Sequence, residues 1–159
     1  MPTIITKTYI KAPRERVFDL SRSIDFHTAS TQQTDETVIS ERKFGLLEQG
    51  EKVTWRAKHL GVYQKLTSKI PQYNFPFYFV DEMQKGIFKR FSHKHTFKEI
   101  NANETLLIDE FEYKSPLGFI GKLADIIFLK SYMVNFLIIR NKQLKLFAES
   151  NKWKQFLSK

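Results

Sequence analysis

Residues 91–113, FSHKHTFKEINANETLLIDEFEY, decide the fold. Phe91, His93, His95 and Phe97 alternate with Ser92, Lys94, Thr96 and Lys98. Further on, Thr105, Leu107, Asp109, Phe111 and Tyr113 alternate with Leu106, Ile108, Glu110 and Glu112. A period of two is that of a β-strand, whose side chains point to opposite faces in turn. Between the two runs, Asn101-Ala102-Asn103 suits a three-residue hairpin loop, because Asn tolerates the left-handed conformation that the last loop position needs. With Ile100 and Glu104 closing that loop, Phe97 faces Leu107, His95 faces Asp109 and His93 faces Phe111. Two histidines and an aspartate thus share a face with aromatic rings. Buried polar groups cost free energy unless paired, so this face either packs tightly or lines a polar-lipped cavity.

The preceding segment supplies a matching wall. In residues 51–60, Val53, Trp55, Ala57 and His59 share one face, and Leu60-Gly61 forms a two-residue turn. That turn sets His59 beside Val62, Ala57 beside Gln64, Trp55 beside Leu66 and Val53 beside Ser68, while Tyr63, Lys65, Thr67 and Lys69 face out. Residues 71–76 begin and end with proline and interrupt the pattern, which resumes over 77–84. Two registers are open there. One places Tyr78, Val80 and Glu82 inward, the other Phe79, Asp81 and Met83, so one acid lands on the inner face either way. Upstream, residues 3–11 read as a first strand, Pro13 starts a short helix with Val17 and Phe18 inward, residues 25–31 make a second, and 36–44 a second strand. Downstream, residues 117–148 are helical by composition, with Ile120, Leu123, Ala124, Ile127, Met133, Phe136, Leu137, Leu144 and Ala148 as the buried face. A continuous helix of that length would run about 48 Å, longer than a small sheet covers, so a break is expected near Lys130-Ser131.

Bulk properties narrow the function classes. A chain of 159 residues is one domain by length and can bury a substantial core. It has no cysteine, which excludes disulfides, thiolate metal sites and a cysteine nucleophile and suits a cytoplasmic location. The start, MPTIITKTYIKAP, lacks the apolar core of a signal peptide. The charge of +9 is concentrated late, since residues 115–159 hold eight basic and two acidic residues. No helix-turn-helix, zinc-finger or RNA-binding sheet motif accompanies it, so the reading is no nucleic acid and a solvated basic helix face. Lys122, Asp125 and Lys130 interrupt the apolar stretch 118–139, which excludes a span of about 20 residues.

The order strand, two short helices, six antiparallel strands and long C-terminal helix resembles the START-like, or SRPBCC, ligand-binding superfamily. The motifs that carry the resemblance are Ile10-Lys11-Ala12-Pro13 with Val17-Phe18-Asp19, Val53-Thr54-Trp55-Arg56-Ala57-Lys58-His59 and Phe79-Val80-Asp81-Glu82-Met83. Phe91-Ser92-His93-Lys94-His95-Thr96-Phe97 and Ser115-Pro116-Leu117-Gly118 complete them. The resemblance covers nearly the whole chain and implies one START-like domain over residues 1–159. Its fold would be the α+β helix-grip, a curved seven-stranded antiparallel sheet wrapped around the C-terminal helix with an internal cavity between them. It does not imply a reaction.

On this reading the chain binds a hydrophobic or amphipathic small molecule. Trp55, Phe91, Phe111 and Tyr113 would contact its apolar parts, and His59, Gln64, Glu82, His93, His95 and Asp109 its polar head. The loops 45–50 and 71–76 would form the mouth. The first alternative is a cyclase- or dehydratase-type enzyme in which His95 and Asp109 perform acid–base chemistry, helped by Asp81 or Glu82. The second is a protein- or membrane-surface module acting through the basic C-terminal helix, with monomer and homodimer both open. His93 and His95 with Asp109 also have metal-donor chemistry. Nothing brings His59 to them by sequence, however, and no metal and no cofactor are expected.

Overall fold

The computed structural model describes residues 1–116 and 118–157, with backbone alone at Gly121, Ala124, Asp125 and Ile126. In chain order the elements are β1 (Thr3–Ile10), α1 (Arg14–Ser21), α2 (Ile24–Ser30), β2 (Thr37–Val38), β3 (Lys52–His59), β4 (Val62–Asn74) and β5 (Tyr78–Lys85). They continue with β6 (Arg90–Asn101), β7 (Glu104–Lys114), α3 (Gly118–Ala124), α4 (Lys130–Glu149) and α5 (Lys154–Leu157). The strands form one antiparallel seven-stranded sheet in the order β1-β7-β6-β5-β4-β3-β2. It is a meander whose last strand returns beside its first. This is the α+β helix-grip fold.

Local chemistry explains the helix pair. Pro13 precedes α1 with an extended backbone, and its carbonyl accepts from Val17 at 3.2 Å. Ser23 caps α2 by accepting from the Phe26 amide at 3.1 Å. Val17, Phe18 and Leu20 then lie fully buried against the sheet, with Phe18 edge-on to Phe79 at 5.4 Å and tilted against Phe97 at 5.0 Å. Leu144 and Ala148 of α4 close this cluster from above, and a second cluster joins Ile4, Phe91, Phe111 and Tyr113 to Met133 and Leu137. Two packed cores thus hold the long helix at separate points along the sheet.

The structure corrects several expectations. The hairpin pairs Phe97 with Leu107, His95 with Asp109 and His93 with Phe111 as expected, but by a different route. Asn101 pairs with Glu104 across a two-residue turn, and the register shifts at Ile100. No left-handed residue is needed there, because the Asn101 side chain accepts from the Asn103 amide at 2.9 Å. The second strand pairs over only Thr37–Val38, beyond which Arg42 organises a loop by donating to the carbonyls of Phe44 and Leu46 and pairing with Glu51. Pro71 does not interrupt β4, for it sits in an irregularity of the ladder between Lys69 and Gln72, where no amide is required.

The C-terminal helical segment also differs. Leu117 lies outside the described residues, as does the side chain of Ala124. A widened π-helical turn, Asp125–Leu129, joins α3 to α4 just before the expected break. Ile120, Leu123 and Ile127 are not buried; they are 69%, 52% and 71% exposed, because α3 packs on this turn rather than on the sheet.

The β3–β4 turn carries a measurable strain. Leu60 and Gly61 have φ of 53° and 78°, the double left-handed turn that favours Asn-Gly, and Leu60 is exposed. Leu60→Asn is expected to raise unfolding free energy by about 0.5–1 kcal/mol by relieving a left-handed β-carbon clash, read as a higher urea midpoint at unchanged slope.

Candidate functional site

The sheet's concave face and α4 enclose a cavity of about 320 Å³. That volume sits at the lower end of small-molecule sites. Its walls are chiefly apolar, with Val53, Trp55, Leu66, Phe79, Phe91 and Phe111 from the strands and Met133, Phe136 and Leu137 from α4. Exposed Leu60 of the β3–β4 turn and Ile87 of the β5–β6 connection mark the rim, with Leu129 and Tyr132 opposite. The expected mouth loops are placed elsewhere. Residues 45–50 contribute Leu47 as a buried wall, and residues 71–76 contribute no lining.

All four histidines of the chain line this space. Strand alternation delivers His93 and His95, whose rings lie 3.8 Å apart, to one face of β6. Asp109, fully buried on β7 behind them, receives His93 Nε2 at 3.0 Å on Oδ1. A carboxylate only accepts, so Nε2 carries the proton. His95 Nδ1 approaches the same oxygen to 2.7 Å without the alignment of a hydrogen bond. On Oδ2, Asn141 Nδ2 of α4 donates at 2.6 Å and Thr6 Oγ1 of β1 at 3.4 Å. Burial alone would raise the Asp109 carboxyl, but the hydrogen bond from His93 and the close approach of both imidazoles hold it well below the usual carboxylate range. Burial and the neighbouring His93 push the His95 imidazole down to about 3, against the pull of Asp109.

His27 of α2 lies tilted against Trp55 at 4.2 Å and pairs through Nε2 with buried Glu36 at 2.9 Å. Burial opposes ionisation of Glu36, yet His27 and Thr31 lower its carboxyl overall. At the rim, His59 Nδ1 meets Tyr132 Oη at 2.7 Å, and burial lowers its imidazole despite Glu36. His59 is therefore separate from the His93–His95 pair.

The odd register is the one adopted across β5 and β6, pairing Phe79 with His95 and Asp81 with His93. Asp81 is the inward acid. Glu82 belongs to the opposite face, where its half-exposed carboxylate lies 3.8 Å from Arg90. Gln64 lines the cavity as expected, whereas Asp109 and Tyr113 are buried behind the lining. Burial raises the Asp81 carboxyl above its ordinary value despite Ser68, His93, His27 and Arg140 nearby, and Oδ1 has no hydrogen-bond partner.

Sequence reasoning missed His27, Glu36 and Arg140. A signal existed for Arg140, which stands three residues after Leu137 and four before Leu144 in the buried stripe of α4. No comparable signal marked His27 or Glu36, which reach the cavity from a short helix and a loop. His93, His95 and Asp109 have donor atoms within 4.8 Å of one another and the chemistry of a metal site. Two of these donors, His93 and Asp109, are hydrogen-bonded to each other, and Asp109 also accepts from Asn141.

No family model and no curated protein sequence matches the chain. Solved structures do. The chain is similar to a START superfamily protein from Mycobacterium smegmatis, with TM-score 0.70, 10% identity and coverage of 92% of this chain and 97% of that one. It is similar to the major latex-like protein 151 of Panax ginseng, with TM-score 0.70, 16% identity and coverage of 94% and 98%. A Thermus thermophilus protein aligns with TM-score 0.69 at 17% identity over 94% and 100%. At such identities the likeness is one of fold, and the fold is START-like.

The buried network predicts an acid-side loss of stability. An unfolded His95 takes up a proton near 6.5, whereas the folded one resists until about 3. The unfolded chain therefore binds more protons between those values, and stability falls as pH drops through them, by at most about 1.4 kcal/mol per pH unit. Asp109, whose carboxyl is depressed, adds a loss only below the ordinary carboxyl range. Urea unfolding at pH 7 and pH 5 is expected to show this slope, and His95→Gln is expected to flatten it, with His59 left acting in the same sense.

Proposed function

We propose that this chain, acting as one domain over residues 1–159, binds a hydrophobic or amphipathic small molecule between sheet and helix. The observation that carries the reading is the composition of the cavity walls. Aromatic and aliphatic side chains enclose about 320 Å³, and a few polar groups converge within it (Gln64, His93, His95, Asp81). Packed interiors leave few voids larger than a water molecule, so a lined space of this size supports a binding site over a packing defect. Trp55, Phe91 and Phe111 contact the apolar part of the ligand. His59 and Gln64 meet polar groups nearer the rim, and His93 and His95 do so deeper. Asp109 acts from behind, holding His93 by its Nε2 proton.

Two observations weigh against acid–base chemistry by His95 and Asp109. An imidazole held near 3 is a weak base at neutral pH, and Asp109 has no surface on the cavity.

Native mass spectrometry after gentle purification, followed by solvent extraction, is expected to reveal a bound apolar molecule that leaves on denaturation. Ala57 lines the wall and is 6% exposed. Ala57→Phe fills that space and is expected to weaken binding of a fluorescent apolar probe by at least about tenfold, or about 1.4 kcal/mol. A protein that is always empty and takes up no apolar probe would sink the reading.

A further inference from the structure

Arg140 is 5% exposed and lines the cavity from the middle of α4's apolar stripe. Its Nη2 donates to the Ser21 carbonyl at 3.3 Å, whereas Nε and Nη1 have no acceptor. Among the described residues no carboxylate forms an ion pair with it. A guanidinium stays charged even when buried, and a buried cation without a counter-charge is strongly disfavoured. Neither nearby acid supplies one. Asp109 is engaged by His93, His95 and Asn141, and Asp81, whose Oδ1 is itself unpartnered, is held towards its neutral form by burial.

Resting on the binding reading above, we propose that the ligand is an amphipathic carboxylic acid whose carboxylate is received by Arg140. The apolar body runs along Trp55, Phe91 and Phe111 towards the rim. Charge selects a monoanion: one guanidinium without a paired carboxylate faces the space, so a doubly charged phosphate would be under-compensated. Length follows from the helix. Arg140 stands eight residues beyond the rim residue Tyr132, about 12 Å at 1.5 Å per residue. A medium-length acyl or comparable fused-ring body spans that distance.

Titration calorimetry of the purified, delipidated protein with sodium decanoate and with decanol, at pH 8, separates headgroup from tail. The wild-type chain is expected to bind decanoate at least about tenfold more tightly than decanol. Arg140→Met removes the charge but keeps an unbranched side chain, and it is expected to abolish that preference while binding decanol as before. Equal affinity of the wild type for acid and alcohol overturns the carboxylate inference and leaves the cavity reading standing. Retention of the preference by the Met variant overturns it in the same way. Failure of the wild type to bind either probe overturns both readings. Should the Met variant not fold, Arg140→Lys replaces it; loss of the planar donor set while the charge is kept is expected to leave a reduced but real preference for the acid, and an unchanged ratio overturns the role of the guanidinium.

Discussion

The carboxylate of Asp109 joins the β6–β7 hairpin to two elements distant in sequence, β1 and α4. Its two oxygens face His93 and His95 of β6, Asn141 of α4 and Thr6 of β1, while it belongs to β7 itself. A charge with no solvent exposure is tolerated only when its lone pairs are met, and hydrogen bonds to charged groups contribute about 1.5–3 kcal/mol each. The network therefore ties α4 to the sheet at this point, through Asn141 at 2.6 Å from Oδ2. Both imidazoles also line the cavity.

A helix pinned in this way cannot settle onto the sheet everywhere. Leu144 and Ala148 pack fully against α1 and the near strands, and Met133 and Leu137 pack at the other end with Phe111 and Tyr113. Between the two contacts lie aromatic side chains that are wide but set back on the concave face. The cavity is the space left by two good contacts and one polar strut. Its histidines are spread accordingly: His93 and His95 sit against the strut, His27 against Trp55 and Glu36, and His59 at the rim with Tyr132.

Much of this was legible in the alternation of residues 52–113, because a sheet with one buried face imposes a period of two and a register slip would turn every side chain over. The pairs His95–Asp109, Ala57–Gln64 and Trp55–Leu66 could be read from that rule and two turns. The rest depended on information that a local pattern does not hold. The hairpin's bulge at Ile100 restores the register that a simple turn would shift, so two routes give the same facing pairs. The choice between Asp81 and Glu82 rested on a connection of uncertain length. Residues 119–128 are apolar in a helical pattern, yet whether a helix lies on the sheet or beyond its end is a tertiary fact. Arg140 was hidden by an assumption, namely that a basic residue in a C-terminal helix faces water.

Arg140 and Asn141 are neighbours on α4, and both are buried, but their energetic situations differ. Asn141 donates to a carboxylate and so completes a network. Arg140 donates only to the Ser21 carbonyl, at the last residue of α1, where the helix dipole offers roughly half a negative charge. That carbonyl accounts for one nitrogen and part of the charge. An apolar side chain of similar volume would pack the same position at no desolvation cost, since exchanging buried ions for well-packed hydrophobes is often neutral or stabilising. Folding alone therefore gives no reason for a cation at this place. An anion entering the cavity does, because it meets donors already oriented and already stripped of water, the condition under which a charged hydrogen bond adds most to affinity.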